Sequence, residues 1–264
     1  MKKIVRFGLV TLLVLALIAL AGCGSGTDKA KSDSANEANV LKVGTDVAFP
    51  PFEFEENGKY TGFDIDLIHA IAEEAGYKVD LQPMQFSGLI PALQAGNVDV
   101  GIAGITITDE RKEQVNFTEP YIDAGQIIAV RADEEEIKSV DDLKGKVLGA
   151  KIGTTGAKMA EELKQDGKLK EIKLYDNNPE SYLDLESGNV DAVIVDKPVV
   201  DRYIATKGKG KIKTVGELLT GEKFGIAVPK GNEKLLKELN DALATLKENG
   251  TYDQIFEKWF GSGQ

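Results

Sequence analysis

The feature that most constrains the fold of this chain is an internal repeat without gaps, in which residues 92–104 align with residues 184–196. Both segments contain a leucine that is followed, after two further residues, by Gly-Asn-Val-Asp. Each is typical of a helix end, a glycine that stops the helix, a turn and a buried strand. The alignment places Gly104 and Asp196 at equivalent strand ends. Because open α/β sheets bind ligands at the carboxyl ends of their strands, the repeat predicts two similar α/β lobes that face a ligand.

Each copy of this repeat forms the end of a cycle of strand, helix, strand, helix and strand. The first cycle is predicted to have strands at 41–43, 79–83 and 98–103 and helices at 64–75 and 89–95. The second is predicted to have strands at 147–150, 172–175 and 190–195 and helices at 157–164 and 181–186. Strands that alternate with helices form mostly parallel sheets. We expect Asp64 and Ser87 to cap the helices of the first cycle, since short polar side chains accept from the first backbone N–H groups.

Three further segments complete the predicted fold. Apolar β segments at 126–130 and 224–228 would carry the chain from the first lobe to the second and back. Residues 233–260 have leucines at helical spacing, with Gly250 as a break, and we expect them to cover the first lobe. The predicted fold class is therefore α/β, with two lobes on either side of a cleft, each a mostly parallel sheet flanked by helices.

The composition excludes several classes of function. A formal net charge of −11 and a pI near 4.8 give no basic surface for nucleic acid. The chain has one cysteine, so it has no intrachain disulfide. A histidine-based metal cluster or a Ser-His-Asp triad would have to use the single His69, which the helical pattern places at or near the surface. We expect neither a metal nor a cofactor.

The amino terminus has the pattern of a signal peptide over residues 1–22, with a basic start and an apolar run of 15 residues that is too short to span a bilayer comfortably. The run ends in Leu-Ala-Gly before Cys23, which resembles the lipobox of bacterial lipoproteins. Residues 24–39 contain no large apolar side chain to offset the entropy of ordering. We expect a lipid on Cys23, a flexible tether over 23–39 and an extracytoplasmic location on the outer face of the cytoplasmic membrane, or on the periplasmic side in a two-membrane cell. The alternative is an ordinary signal peptide with an unmodified cysteine.

Polar residues near the predicted strand ends suit a zwitterionic amino acid. Arg111 can bind a carboxylate through two parallel hydrogen bonds, and Thr106 with backbone amides near Thr155 can complete that shell. Asp196 can accept from an α-ammonium, with help from the Gly104 carbonyl. A charged ligand is tolerated in a closed cleft only where each charge is paired. Taken alone, Arg111 could instead be a surface ion-pair partner.

Aromatic and charged residues could form a pocket for the ligand side chain. Phe49 and Phe86 can cover an aliphatic stem, while Asp46 and Lys151 come after the first strand of each cycle. Each has a structural alternative, with Asp46 as a turn residue, the phenylalanines as core residues and Lys151 as a solvated lysine. The Gly-Thr-Thr-Gly loop at 153–156 lacks the spacing of a phosphate-binding loop, so no nucleotide is expected.

Five segments together resemble the polar amino-acid-binding proteins of ABC importers, and the glutamine-binding members most of all. They are residues 46–54, 62–66, 86–93, 104–111 and 249–261, and the resemblance covers residues 41–261. It implies the type II periplasmic-binding fold, with a two-strand hinge that closes the lobes on a ligand. The implied hinge lies near 121–127 and 219–225, the first lobe comprises 40–125 and 220–264, and the second lobe comprises 126–219. The resemblance also implies that the protein is a monomer and that its partners are an ABC permease and its ATPase.

The resemblance also implies a ligand site. Its residues would be Asp46, Phe49, Phe86, Ala103, Gly104, Thr106, Arg111, Lys151, Thr154, Thr155 and Asp196. Asp46 would meet the ligand side chain, with Phe49 and Phe86 on either side of it. Arg111 would bind the α-carboxylate and Asp196 the α-ammonium.

The implied ligand preference depends on Lys151. It matches a lysine that glutamine-binding members place near the side-chain amide, and it should repel a cationic tail such as that of arginine. Two positions depart from the pattern, since Val195 stands where some glutamine binders have histidine and Thr155 where they can have glycine. Glutamine is the favoured ligand, with arginine or another polar amino acid as the alternative.

The expected function is capture of a polar amino acid by hinge closure and its delivery to an ABC importer, without enzyme activity. A dehydratase on the same fold would need an acid or base with a shifted pKa. Asp46 and Lys151 are the candidates for that role, and they are better explained as contacts to a ligand side chain. A sensory domain that acts through a separate partner is a further alternative.

Overall fold

The computed structural model describes residues 39–261, which contain fifteen short strands and eight α-helices. The strands are β1 (Asn39–Thr45), β2 (Ala48–Phe49), β3 (Glu53–Glu56), β4 (Lys59–Thr61), β5 (Tyr77–Pro83), β6 (Val100–Gly101), β7 (Val115–Phe117), β8 (Ile122–Ala124), β9 (Gln126–Arg131), β10 (Val147–Lys151), β11 (Glu171–Tyr175), β12 (Ala192–Asp196), β13 (Ile212–Val215), β14 (Glu222–Phe224) and β15 (Ala227–Pro229). The helices are α1 (Phe63–Glu74), α2 (Leu89–Gln94), α3 (Asp109–Gln114), α4 (Thr155–Gln165), α5 (Asn178–Glu186), α6 (Lys197–Thr206), α7 (Glu233–Glu248) and α8 (Thr251–Phe260). The expected signal peptide and the expected lipid on Cys23 lie outside the described residues. The described part of the chain opens with β1 at Asn39, one residue before the predicted start of the folded body.

Two five-stranded sheets with the same plan form the two lobes. The strand order is β5-β1-β6-β15-β7 in the first lobe and β11-β10-β12-β9-β13 in the second. In each sheet three neighbouring strands run parallel. The fourth strand, β15 or β9, pairs antiparallel with the third. The two-lobed α/β fold that the repeat predicts is confirmed.

The repeated aspartate makes the same contacts in both lobes. The Asp99 carboxylate accepts from the Lys42 N–H at 2.8 Å, and the Asp99 N–H donates to the Lys42 carbonyl at 2.8 Å. Asp191 makes the same pair of hydrogen bonds with Val147, at 2.7 and 2.8 Å. Each aspartate satisfies backbone groups of the first strand of its lobe and fixes where the central strand begins. The strand ends of the two lobes therefore reach equivalent positions.

Strands β8 and β14 form a two-stranded antiparallel sheet where the chain passes between the lobes. The chain leaves the first sheet after β7, continues through β8 into β9 of the second sheet, and returns through β14 to β15. The two apolar segments predicted to cross between the lobes are thus β9 and the pair β14 and β15.

The carboxyl-terminal helices cover the first lobe, as predicted. Helix α7 buries Leu235, Leu239, Leu243 and Leu246, which belong to the same core cluster as buried residues of α1. From α8, the Phe260 ring lies 5.5 Å from Phe52 and 5.2 Å from Phe63, centroid to centroid.

Both predicted helix caps are wrong. Helix α1 follows Gly62, whose φ is 132° and where an added Cβ would lie 2.0 Å from the Phe52 carbonyl oxygen. Asp64 therefore falls inside the first turn, and its side chain is buried rather than capping. Helix α2 follows Gly88 without a side-chain cap, and Ser87 lies in the preceding 3-10 turn.

No helix within residues 39–261 combines the length and the apolar character needed to cross a membrane. The same residues contain no group of three or more His, Cys, Asp or Glu side chains placed to hold a metal ion. His69 is exposed on α1.

Candidate functional site

A buried ion pair joins the lobes at the ends of β1 and β10, the first parallel strands of the two sheets. Asp46 follows β1, and Lys151 ends β10. The Lys151 ammonium donates to Asp46 Oδ2, and the two side chains are only 3% and 4% exposed. Asp46 Oδ1 also accepts from the Ala48 N–H at 3.1 Å, so this residue forms a turn as well. Because buried charges are tolerated only when paired, each partner needs the other or an equivalent group.

Two phenylalanine rings face the same ammonium. Lys151 Nζ lies 5.2 Å from the ring centroid of Phe49 and 5.2 Å from that of Phe86, a distance at which a cation is attracted to an aromatic face. Phe49 is buried in the core of the first lobe, whereas Phe86 is half-buried. Asp46, Phe49, Phe86 and Lys151 together form what we call the aromatic pocket.

Arg111 also connects the lobes. It lies in the first turn of α3, where the Thr108 hydroxyl accepts from its N–H at 3.2 Å. Its guanidinium donates to the Thr106 carbonyl at 2.8 Å and to the Gly153 carbonyl of the other lobe at 2.9 Å. The guanidinium carbon lies 5.4 Å from the centroid of Phe86. The planar cation is thus held next to the aromatic pocket, rather than pairing on the outer surface.

Glu222, at the start of β14, contacts both lobes with one oxygen. Its Oε2 accepts from the hydroxyl of Thr106 in the first lobe at 2.9 Å and from that of Thr155 in the second at 3.0 Å. Its Oε1 accepts from Thr220 at 3.0 Å. Burial lowers the pKa of Arg111, and the Glu222 carboxylate is the strongest charge that opposes this shift.

Asp196 ends β12 with a side chain that is almost fully buried. Its Oδ1 accepts from Gln126 Nε2 at 2.8 Å, and the same nitrogen donates to the Thr155 hydroxyl at 3.1 Å. Burial raises the pKa of Asp196 to about 7, and the Glu222 carboxylate adds to this shift. A cation beside Asp196 would favour its charged form and lower that pKa.

Gly104 lies against the aromatic pocket in a conformation that suits glycine. Its φ is +56°, and an added Cβ would lie 2.6 Å from the Phe49 ring. Its N–H donates to Asp64 Oδ2 at 2.8 Å, which also accepts from the Tyr121 hydroxyl at 2.8 Å. Burial raises the pKa of Asp64 to about 6. The pKa of the fully buried Glu53 is raised well above its usual value. Burial is the largest cause, and the charge of Asp64 is the second.

The structure links nine of the predicted site residues in one network of contacts, some within a lobe and some between the lobes. They are Asp46, Phe49, Phe86, Gly104, Thr106, Arg111, Lys151, Thr155 and Asp196. Thr154 has a structural task, since its hydroxyl caps α4 through the Ala157 N–H at 3.1 Å and donates to the Lys151 carbonyl at 2.7 Å. The Ala103 side chain is buried in an apolar cluster of the first lobe.

Sequence reasoning missed Glu222 and Gln126. Gln126 begins β9 and Glu222 begins β14, so each is a polar residue at the start of a strand that crosses between the lobes. The available signal was position alone, since Gln126 begins the predicted crossover segment at 126–130 and Glu222 lies within the implied hinge near 219–225.

Comparisons with known proteins agree with this architecture. Residues 41–262 match the bacterial extracellular solute-binding proteins, family 3. The L-cystine-binding protein TcyJ of Escherichia coli (strain K12) is 34% identical over 259 residues, which cover 97% of this chain and 96% of TcyJ. The solved structure of an ancestral arginine-binding protein bound to arginine has a TM-score of 0.81 and 50% identity, covering 84% of this chain and 99% of that one. An ancestral arginine-binding protein bound to glutamine has a TM-score of 0.80 and 49% identity, covering 85% and 99%.

The matched region contains every residue of the site described above, together with both lobes and the strands that connect them. The agreement therefore extends over the whole described body and does not depend on one motif. This chain belongs to the bacterial extracellular solute-binding proteins, family 3.

Proposed function

We propose that this protein captures a polar amino acid, with glutamine as the favoured ligand, and delivers it to an ABC importer. The class of ligand is supported by relatives that are named for binding cystine and arginine and by a structure bound to glutamine. In this proposal Arg111 receives the α-carboxylate, Asp196 receives the α-ammonium, and the ligand side chain enters the aromatic pocket.

The observation that carries the choice of glutamine is the ion pair between Asp46 and Lys151. It places one hydrogen-bond acceptor and one donor at the same end of the aromatic pocket. A side-chain amide offers the complementary pair, with its NH2 for Asp46 and its carbonyl for Lys151. A guanidinium would satisfy Asp46 but leave Lys151 as a buried cation beside a second cation, which is costly.

We propose closure of the two lobes as the mechanism of capture. Strands β8 and β14 are the hinge in this proposal, because both crossings of the chain run through this short sheet. Three contacts join the two lobes, namely Asp46–Lys151, Arg111–Gly153 and the exposed ion pair of Glu110 and Lys158 at 2.6 Å. A ligand that contacts residues of both lobes would stabilise this arrangement, and a permease would recognise it.

Arginine is the second candidate, and a specific observation favours it. The aromatic pocket already holds a cation, since the Lys151 ammonium faces Phe49, Phe86 and Asp46. A ligand guanidinium would find the same partners if Lys151 moved out of the pocket.

We propose no catalytic step for this protein. Asp46 and Lys151 are the groups on which a dehydratase would depend, and their hydrogen-bonded ion pair is explained by side-chain recognition. The lipid on Cys23 and the tether over residues 23–39 remain part of the proposal, as the means by which the body stays beside its permease as a monomer.

Calorimetric titration of the purified protein tests the proposal, after partial unfolding and dialysis have removed any amino acid that was carried over. Glutamine, arginine, histidine, glutamate and cystine are titrated separately. Tight one-to-one binding of glutamine with a weak response to arginine is expected. Tight binding of arginine would keep the amino-acid receptor and reject the role given to Lys151. Absence of binding by all five would reject the receptor with these ligands.

A further inference from the structure

We infer that Glu222 fixes the direction of hydrogen bonding in the site, because it makes the hydroxyl groups of Thr106 and Thr155 available to a ligand only as acceptors. The ligand must therefore carry an α-ammonium group. This inference rests on the proposed function, because it concerns which amino acids and analogues the site accepts. It makes Glu222 a positioning and specificity-determining residue, although it lies on a strand that connects the lobes.

The geometry gives one carboxylate three hydroxyl donors. Thr106 and Thr155 donate to Glu222 Oε2 at 2.9 and 3.0 Å, and Thr220 donates to Oε1 at 3.0 Å. Thr106 is 5% exposed and belongs to the first lobe, whereas Thr155 is the first residue of α4 in the second lobe. Both hydroxyls are therefore held in place by the same atom, from opposite sides of the cleft.

The direction of these hydrogen bonds follows from elementary chemistry. A carboxylate has no hydrogen to give, whereas a threonine hydroxyl has one hydrogen and two lone pairs. When Thr106 and Thr155 each donate their single hydrogen to Glu222, a ligand can reach only their lone pairs. Neither hydroxyl can then donate to a ligand carboxylate.

The neighbouring groups also present acceptors rather than donors to the ligand. Gln126 Nε2 donates both to the Thr155 hydroxyl and to Asp196 Oδ1, at 3.1 and 2.8 Å. Its hydrogens are thus directed to the protein rather than to the cleft. The Glu222 carboxylate is close enough to Asp196 to raise the pKa of Asp196, after the larger effect of burial. This part of the site consists of acceptors and negative charge, and it requires a donor that is positively charged.

Thr106 then has a different role from the one predicted from the sequence. The sequence suggested that its hydroxyl completes the shell of the α-carboxylate, beside Arg111. With its hydrogen given to Glu222, the hydroxyl instead accepts from the α-ammonium, together with Asp196. Arg111 keeps the carboxylate, and the Thr106 carbonyl that accepts from its guanidinium at 2.8 Å holds it in position.

The consequence is selection against ligands without an amino group. An acid with the same side chain but no α-ammonium would leave the Thr106 lone pairs without a donor and the charges of Asp196 and Glu222 without a cation, and a buried site rejects such a ligand strongly. In Glu222→Gln an amide nitrogen can donate to one of the threonines, which frees that hydroxyl to donate toward the cleft and removes one negative charge.

The test compares two amino acids with their des-amino counterparts, glutamine with 4-carbamoylbutanoate and arginine with 5-guanidinopentanoate. Dissociation constants are measured for the wild type, for Glu222→Gln and for the control Glu217→Gln, which removes the same charge at an exposed position of the preceding loop. We expect Glu222→Gln to weaken binding of the amino acid by about tenfold to a hundredfold and to leave the des-amino acid unchanged or bound more tightly. The control should match the wild type.

Thr106→Val serves as a second variant that removes one acceptor without changing the charge. It should also weaken the amino acid more than its counterpart. Equal losses for both members of a pair, in either variant, would overturn the inference while leaving the proposed function intact. A wild type that binds none of the four compounds would instead overturn glutamine and arginine as the proposed ligands, and the inference with them.

Discussion

Lys151 of the second lobe and Asp46 of the first form a buried ion pair whose cation faces two phenylalanine rings. In Lys151→Gln the Asp46 carboxylate loses its cationic partner, and a ligand guanidinium can replace it. We expect the affinity for arginine to rise at least about tenfold relative to that for glutamine, since each tenfold corresponds to ~1.4 kcal/mol. Competition calorimetry with the two amino acids measures this ratio.

Lys173→Gln is the matched control for that experiment, because Lys173 is a partly exposed lysine on β11 of the same lobe. Its ratio of affinities should equal that of the wild type. An unchanged ratio in Lys151→Gln would mean that Lys151 does not select the ligand.

Arg111→Ala should remove most of the binding of any α-amino acid. The guanidinium is already oriented by the Thr106 and Gly153 carbonyls, so a bidentate contact to a carboxylate needs little rearrangement. Loss of a charge-assisted pair costs about 3 kcal/mol, or about a hundredfold in affinity. Lys112→Ala, at an exposed position next to it, should bind as the wild type does. Normal binding by Arg111→Ala would place the carboxylate elsewhere.

The fold was predictable because the pattern of helix end, glycine, turn and strand is visible within each of two short segments. Asp99 and Asp191 recur at one spacing because each makes the same two hydrogen bonds to the neighbouring strand. The break between α7 and α8 at Gly250 likewise follows from nearby residues.

The missed parts of the site depend on distant residues. Glu222 reaches Thr106 and Thr155 across more than 60 positions of sequence, so no local pattern reveals it. Asp64 has the residue type of a helix cap, but the fold buries it against Gly104 and Tyr121, and these tertiary contacts override the local preference.

Ligand binding should release a proton below neutral pH. Burial, reinforced by Glu222, raises the pKa of Asp196 to about 7, so below that pH the carboxyl of the empty site is mostly protonated. A ligand ammonium favours the carboxylate and expels the proton. Affinity should therefore fall by up to about tenfold for each pH unit below 7 and level off above it.

Calorimetry at pH 6 in buffers of different ionisation enthalpy measures that proton. The exposed Asp176→Asn is the control and should release the same amount as the wild type. Asp196→Asn should bind weakly and release less. Proton uptake by the wild type, or an affinity that does not change with pH, would contradict the prediction.

Glu53→Gln should alter how stability depends on pH. Burial raises the pKa of Glu53 in the folded protein, so between its unfolded value near 4.5 and its folded value the native state binds more protons than the unfolded chain. The stability that this group contributes is present at low pH and is lost as pH rises through that window. Glutamine cannot ionise, so its advantage over glutamate should grow with pH.

Thermal unfolding between pH 5 and 8 measures this effect. The melting temperature of Glu53→Gln minus that of the wild type should increase by a few degrees over this range. Glu55→Gln, at an exposed position of the same strand, should show a constant difference. A constant difference in Glu53→Gln as well would mean that Glu53 does not change its protonation between the folded and unfolded states.

Gly104→Ala should weaken binding more than its effect on stability explains. The residue has φ of +56°, and its new Cβ would lie 2.6 Å from the Phe49 ring, so the ring must move. Gly76→Ala is the matched control, since it has φ of +80° but open space around it. Both variants should lose about 1 kcal/mol of unfolding free energy to backbone strain. Only Gly104→Ala should also lose at least about tenfold in affinity, because Phe49 is part of the aromatic pocket. Equal affinity in the two variants would remove Phe49 from the site.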